Sequence, residues 1–131
     1  MEYLNSDLQQ KIIKIFNTDN VYEKLEKTLT TNDEDKSYNA EHSTPFKLIH
    51  KIINKANNNI WNKNYKFLDY CCGKGFIILS IFNKLYNTIK IDNKLDKCRH
   101  IIEKCIYFAD INESNISTTI FLLNSQANIL S

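Results

Sequence analysis

The sequence predicts an α/β chain, with a βαβ core of parallel strands preceded by N-terminal helices. Three observations carry this. Apolar residues recur at helical spacing in six stretches between Asp7 and Leu123. Short apolar runs that suit strands alternate with the later helical stretches, the order expected of parallel strands joined by helical crossovers. A Gly-x-Gly turn, Gly73-Lys74-Gly75, lies directly between one such run and an apolar helix.

The size is that of one small domain: 131 residues and 15.4 kDa, 43% of them apolar, enough to build a core. Two glycines and one proline exclude collagen and flexible linkers. No run of about 18 apolar residues offers a membrane span. The opening MEYLNSDLQQ lacks a basic-then-apolar leader pattern. A cytoplasmic location with reduced cysteines is therefore expected. The net charge of +2 is too small to argue for nucleic acid. Residues 1–40 carry five Lys against eight acids, a balance of −3, and residues 41–131 carry twelve Lys or Arg against seven, a balance of +5. The second part is mildly basic, which a solvated face explains as well as a polyanion does.

In chain order, Ser6 caps a helix over Asp7–Phe16, with Leu8, Ile12, Ile15 and Phe16 on one face. Val21–Leu29 is a second helical stretch, and Asn32–Lys36 is a charged loop. A helical N-terminal segment, 1–36, is thus set apart from a main unit, 37–131. Thr44-Pro45 reads as N-cap and first helical residue of a helix whose stripe is Phe46, Ile49, Ile52, Ile53 and Ala56; Asn57-Asn58-Asn59 ends it. Tyr65–Tyr70 reads as a strand, Cys71–Gly75 as a tight turn, and Phe76–Tyr86 as a buried helix. Thr88–Asp92 alternates like a short strand. Lys94–Cys105 is helical, with Cys98, Ile101, Ile102 and Cys105 on one face. Ile106–Asp110 is a buried strand, and Glu113–Leu123 the last helix.

The chemistry concentrates at Phe67-Leu68-Asp69-Tyr70-Cys71-Cys72-Gly73-Lys74-Gly75-Phe76. Glycines let the backbone turn tightly and approach a ligand, and the helix that follows offers free N–H groups. A dinucleotide site would need a third glycine where Ile78 stands, and a phosphate loop would need Gly-Lys-Ser/Thr after a four-residue spacer. An acid directly before the turn also repels phosphate. The pattern suits a ligand with a positive centre and no phosphate, such as S-adenosylmethionine. Gly73 is expected to need positive φ, so that Gly73→Val strains the turn and blocks the ligand. Gly75 at the helix opening is expected to accept helical dihedrals, so that Gly75→Ala is mild.

The same ten residues resemble the first motif of the adenine-specific DNA methyltransferases of restriction–modification type, usually written F-x-D-P-x-x-G-x-G-x-F/L. Upstream, His42-Ser43-Thr44-Pro45-Phe46-Lys47-Leu48 resembles their F-x-T-P-x-x-L segment. Downstream, His100 to Asn112 resembles their I-x-x-N-x-L-Y-G-x-D-I-D/N segment. The three motifs occur in the family's order and cover about residues 38–124. The resemblance implies a partial Rossmann-like methyltransferase fold that binds S-adenosyl-L-methionine. It places Asp69, Cys71, Gly73 and Gly75 at the cofactor from the first motif, and Thr44 and Pro45 from the upstream one. Ile111 would line the cofactor, and Asp110 beside it would meet the ribose. Asp92 competes for that role, because it too ends an apolar alternation and its spacing from the glycine turn suits it; the Ile106–Ile111 pattern favours Asp110.

Tyr70 stands where the family has Pro, and Ala109 where it has Gly. A larger departure is that the catalytic Asn/Asp-Pro-Pro-Tyr/Phe motif, which follows the family's third strand, is absent: Pro45 is the single proline. The expectation is the cofactor-binding front half of the enzyme, with no catalytic residues of its own. DNA would be met through the complete enzyme, and a second polypeptide could supply the missing motif. The alternative is a non-catalytic remnant or interaction subunit. No metal is expected. Cys71-Cys72 are adjacent and Cys98 and Cys105 are seven apart, so there is no zinc-binding spacing. His42, His50 and His100 are scattered, and Trp61 and Tyr65, beside Lys63 and Lys66, read as a loop closing over the core more readily than as a base-stacking patch.

Overall fold

The computed structural model describes residues 4–30 and 44–131. Within them the chain is mixed α/β, predominantly helical, with one parallel sheet of two strands.

Helix α1 spans Ser6–Phe16 and buries Ile12, Ile15 and Phe16. Its cap is Asn5 rather than Ser6: Asn5 is extended and its Oδ1 accepts from Leu8 N at 2.9 Å. Asn and Ser cap about equally well, so local chemistry does not choose between neighbours. Helix α2, Val21–Leu29, buries Leu25 and Leu29.

Helix α3 spans Phe46–Lys55. Here the expected start is corrected. Pro45 has ψ 143°, outside the helix, and holds the cap position, while no side chain of its own or of Thr44 caps the first turn. The missing acceptor comes from α2 instead, where the Glu26 carboxylate accepts from Phe46 N. Phe46, Ile49 and Ile53 are buried, but Ile52 is 59% exposed and lies off the core face. The helix stops at Lys55, before the asparagines, and a 3₁₀ turn follows at Asn58–Ile60.

Strand β1 is Phe67–Asp69, shorter than the apolar run that foretold it. The turn leads into α4, Phe76–Thr88, whose Phe76, Ile78, Leu79, Phe82 and Leu85 are buried. No strand forms at Thr88–Asp92. Thr88 is the last residue of α4, its hydroxyl donating back to Lys84 O at 2.9 Å, and Ile89 is buried as the helix exit. A five-residue alternation supports either outcome, and α4 simply runs further than its pattern. Helix α5, Lys94–His100, capped by Asn93, passes into a wider π-type turn over Ile101–Cys105. Strand β2, Ile106–Phe108, then pairs parallel with β1 in the register Phe67 with Ile106, Leu68 with Tyr107 and Asp69 with Phe108. Helix α6, Glu113–Leu130, runs past Leu123 and packs against α1, α4 and α5.

One core cluster joins residues of α1 and α2 to those of the later elements. The connection is partly aromatic: Tyr22 meets Phe46 at 4.5 Å between ring centroids, and Phe46 stacks on Phe76 at the same distance. Tyr22 Oη also accepts from Asn83 Nδ2 of α4 at 2.6 Å. The sheet is covered on one face. Leu68 and Tyr107, opposite each other on its other face, are 63% and 42% exposed. Trp61 closes over the core, stacked on Phe67 at 5.1 Å, while Tyr65 is exposed.

Candidate functional site: the glycine turn and two strand-end acids

Because β1 and β2 are neighbours in parallel register, the residues that leave them emerge side by side. Asp69 ends β1, and Asp110 lies two residues beyond β2. The backbone continues the pairing past the strands: Ala109 N donates to Asp69 O at 2.9 Å, and Cys72 N to Ala109 O at 3.1 Å. The glycine turn is thereby tied to the segment carrying Asp110.

The turn is left-handed at both glycines, with φ of 55° at Gly73 and 91° at Gly75. It is held by carboxylates. Asp110 Oδ2 accepts from Gly73 N at 2.9 Å, and Asp110 Oδ1 from Asn112 N at 2.8 Å. Asn112 Oδ1 in turn accepts from Ser114 N at 2.9 Å and caps α6. Asp69 Oδ1 accepts from Cys71 N at 3.1 Å, whereas its Oδ2 is buried with no hydrogen-bond partner among the described residues. An unsatisfied buried carboxylate oxygen is costly.

The residues singled out in the sequence fall into three groups. Asp69, Gly73, Gly75 and Asp110 converge on the turn. Thr44 and Pro45 precede Phe46, whose stacking on Phe76 sets the start of α3 beside the start of α4. Cys71 is exposed in the turn, and the Ile111 side chain is fully exposed beyond Asp110. Asp92 is exposed in the bend before α5 and belongs to neither strand of the sheet. His42 and Ser43, the first residues of the upstream motif, and the charged loop Asn32–Lys36 lie outside the described residues.

Gly75 differs from the sequence expectation. Its φ is not helical, and a Cβ there would come within 2.6 Å of Thr119 Oγ1 and 2.9 Å of Thr119 Cβ and Cγ2. At Gly73 a Cβ meets nothing within 4 Å. The tighter glycine is the second one, because α6 runs directly beneath it. Thr119 is the site residue that motif reading passes over, and Asn112, the last residue of the downstream motif, is one to which it assigns no role. The available signal was Asn115 and Thr119 four apart on a helix face that buries, both nearly inaccessible.

Cys72 is buried, its Sγ 3.5 Å from Thr119 Oγ1. Burial pushes its thiol pKa up, the Asp110 and Asp69 carboxylates push in the same direction, and the Thr119 contact opposes them. Cys72 therefore stays a neutral thiol at neutral pH and is no nucleophile. Among the described residues no three metal-ligating side chains cluster, and no helix is long and apolar enough to cross a membrane.

Comparison with known proteins returns no match: no family model, no curated protein and no solved structure corresponds to this chain.

Proposed function

We propose that the chain is the S-adenosylmethionine-binding part of an adenine-specific DNA methyltransferase, built on a partial Rossmann-like fold and lacking the Asn/Asp-Pro-Pro-Tyr motif. One observation carries the reading: two acids at the carboxyl ends of adjacent parallel strands flank a left-handed glycine turn that opens a buried helix. Ligands of open parallel sheets bind outside the carboxyl ends of the strands. The Asp69 carboxylate, which ends β1 beside the turn, would meet the ammonium of an amino-acid moiety. A carboxylate oxygen accepts two hydrogen bonds, so Asp110 can receive ribose hydroxyls while it still holds Gly73 and Asn112. Two carboxylates flank the turn, which disfavours phosphate and is in keeping with a sulfonium ligand.

When bound, the cofactor supplies an electrophilic methyl group. The adenine it would meet must leave the duplex stack. The acceptors that would hold its amine belong to a motif not among these 131 residues, so this polypeptide by itself binds and orients without transferring. A second reading is a non-catalytic subunit that pairs with another chain. It is favoured by the exposed sheet face at Leu68 and Tyr107, since parallel sheets are ordinarily covered on both faces.

Calorimetric titration with S-adenosylmethionine and S-adenosylhomocysteine tests the first reading. Binding of both is expected, weakened about tenfold or more in Asp69→Asn, because a charge-assisted hydrogen bond is lost. Equal affinity in wild type and variant removes Asp69 from the site. No binding by the wild type removes the reading.

A further inference from the structure

Helix α6 touches the glycine turn through one side chain. Thr119 is completely buried. Its Oγ1 lies 2.9 Å from Asn115 O within the helix and 3.4 Å from Gly73 O in the turn. It also lies 3.5 Å from Cys72 Sγ. A hydroxyl has one proton and two lone pairs. The distances allow that proton to be shared between the Asn115 and Gly73 carbonyls, the Asn115 bond being the shorter, while either atom can donate in the contact with Cys72 Sγ. The methyl and Cβ of the same residue fill the space that a side chain at position 75 would need. Thr119 thus meets Cys72, Gly73 and Gly75 at once, at the Gly73 carbonyl, while Asp110 holds Gly73 N.

We infer that Thr119 is a positioning residue for the glycine turn: its hydroxyl fixes the Gly73 peptide, and with it the direction in which the turn presents its N–H groups to a ligand. The inference rests on the reading that this turn binds S-adenosylmethionine. Its consequence is that affinity at the strand ends is set in part from the middle of α6, by a residue that touches no ligand.

The test uses the full chain with Thr119→Val, which keeps the shape and loses the hydroxyl, and Thr119→Ser, which keeps the hydroxyl. Two quantities are read: affinity for S-adenosylhomocysteine, and hydrogen exchange at the Gly73 and Gly75 amides in the ligand-free protein. Those amides bond to Asp110 Oδ2 and Cys72 O, both at 2.9 Å, and report the turn directly. The valine variant is expected to lose about tenfold in affinity, the equivalent of one hydrogen bond. It is also expected to exchange faster at both amides, while serine restores both quantities. A merely structural threonine would lower the melting temperature in both variants and leave the affinity of the folded protein unchanged; that outcome overturns the inference. Should valine fail to fold, Thr119→Ala takes its place with the same readouts. If the wild type binds no cofactor, the functional reading falls separately. Amide exchange then decides the inference alone, and unchanged protection at both glycines overturns it.

Discussion

At the scale of single residues, the two glycines of the turn do different work. Gly73 needs its freedom for backbone conformation only: φ is 55° and the space beside its Cα is open. An alanine there adopts the left-handed region at about 1 kcal/mol. Gly75 needs freedom for conformation and for room, because φ is 91° and Thr119 stands where a Cβ would go. Gly75→Ala is therefore expected to cost about 2–4 kcal/mol, backbone strain and overpacking together, and more than Gly73→Ala. Urea denaturation of the two variants gives the order, and equal costs would mean that α6 yields easily at Thr119. Reading the sequence puts the severity the other way round. A glycine before an apolar helix looks ready for helical dihedrals, and nothing in the local pattern reveals that a residue 44 positions later occupies its side-chain space.

At the scale of elements, most of the helices were legible. Helical periodicity places α1, α2 and α4 with small errors at their ends and finds the start of α6, which runs seven residues further than expected, since an amphipathic stripe is a local property. The parallel pairing of β1 with β2 was legible too, from the helices between them. What stayed hidden is what tertiary contact decides. The start of α3 is capped by Glu26, twenty residues earlier in the chain. The Thr88–Asp92 alternation becomes the exit of α4 because no neighbouring strand claims it. The arrangement at the candidate site was legible as far as the placing of its acids and glycines at the strand ends, and illegible where α6 packs against the turn. Helix α6 depends on Asn112 in a way that can be measured. Asn112 Oδ1 caps Ser114 N, and Asn112 N is held by Asp110. Replacing Asn112 with alanine removes the cap and the hydrogen bond that the same oxygen accepts from Ser114 Oγ, and is expected to cost about 1 kcal/mol or more in thermal or urea unfolding. Because the backbone N–H remains, the Asp110 link survives. A cost below about 0.3 kcal/mol would show that the cap is dispensable.

At the scale of the whole molecule, the chain shares one core, and that core contains three thiols. Cys72, Cys98 and Cys105 are all buried, and burial raises the pKa of each above the ordinary thiol value. A raised folded-state pKa contributes stability that is fully present below the unfolded thiol pKa and is lost as pH rises through the folded one. The expectation is a stability plateau through neutral pH and a decline beginning above the usual thiol range, near pH 9. Tyr22, whose pKa burial also raises, extends that decline to higher pH. Urea titrations across the alkaline range test this, and a variant with all three thiols replaced by alanine should lose most of the early slope. A wild type that keeps its full stability to pH 11 would contradict the burial of these groups.

The one-sided sheet has a colloidal consequence. Leu68, Tyr70, Tyr107 and Ile111 are exposed together at the strands and just beyond them, on a molecule whose net charge is only +2. Long-range repulsion between copies is weak, and salt shortens its range further, to about 8 Å at physiological ionic strength. Strongly hydrated salts such as sulfate add to the attraction between wet apolar surfaces. Concentrated solutions of this protein should therefore cloud first with rising salt and not with falling pH, where added positive charge keeps the molecules apart.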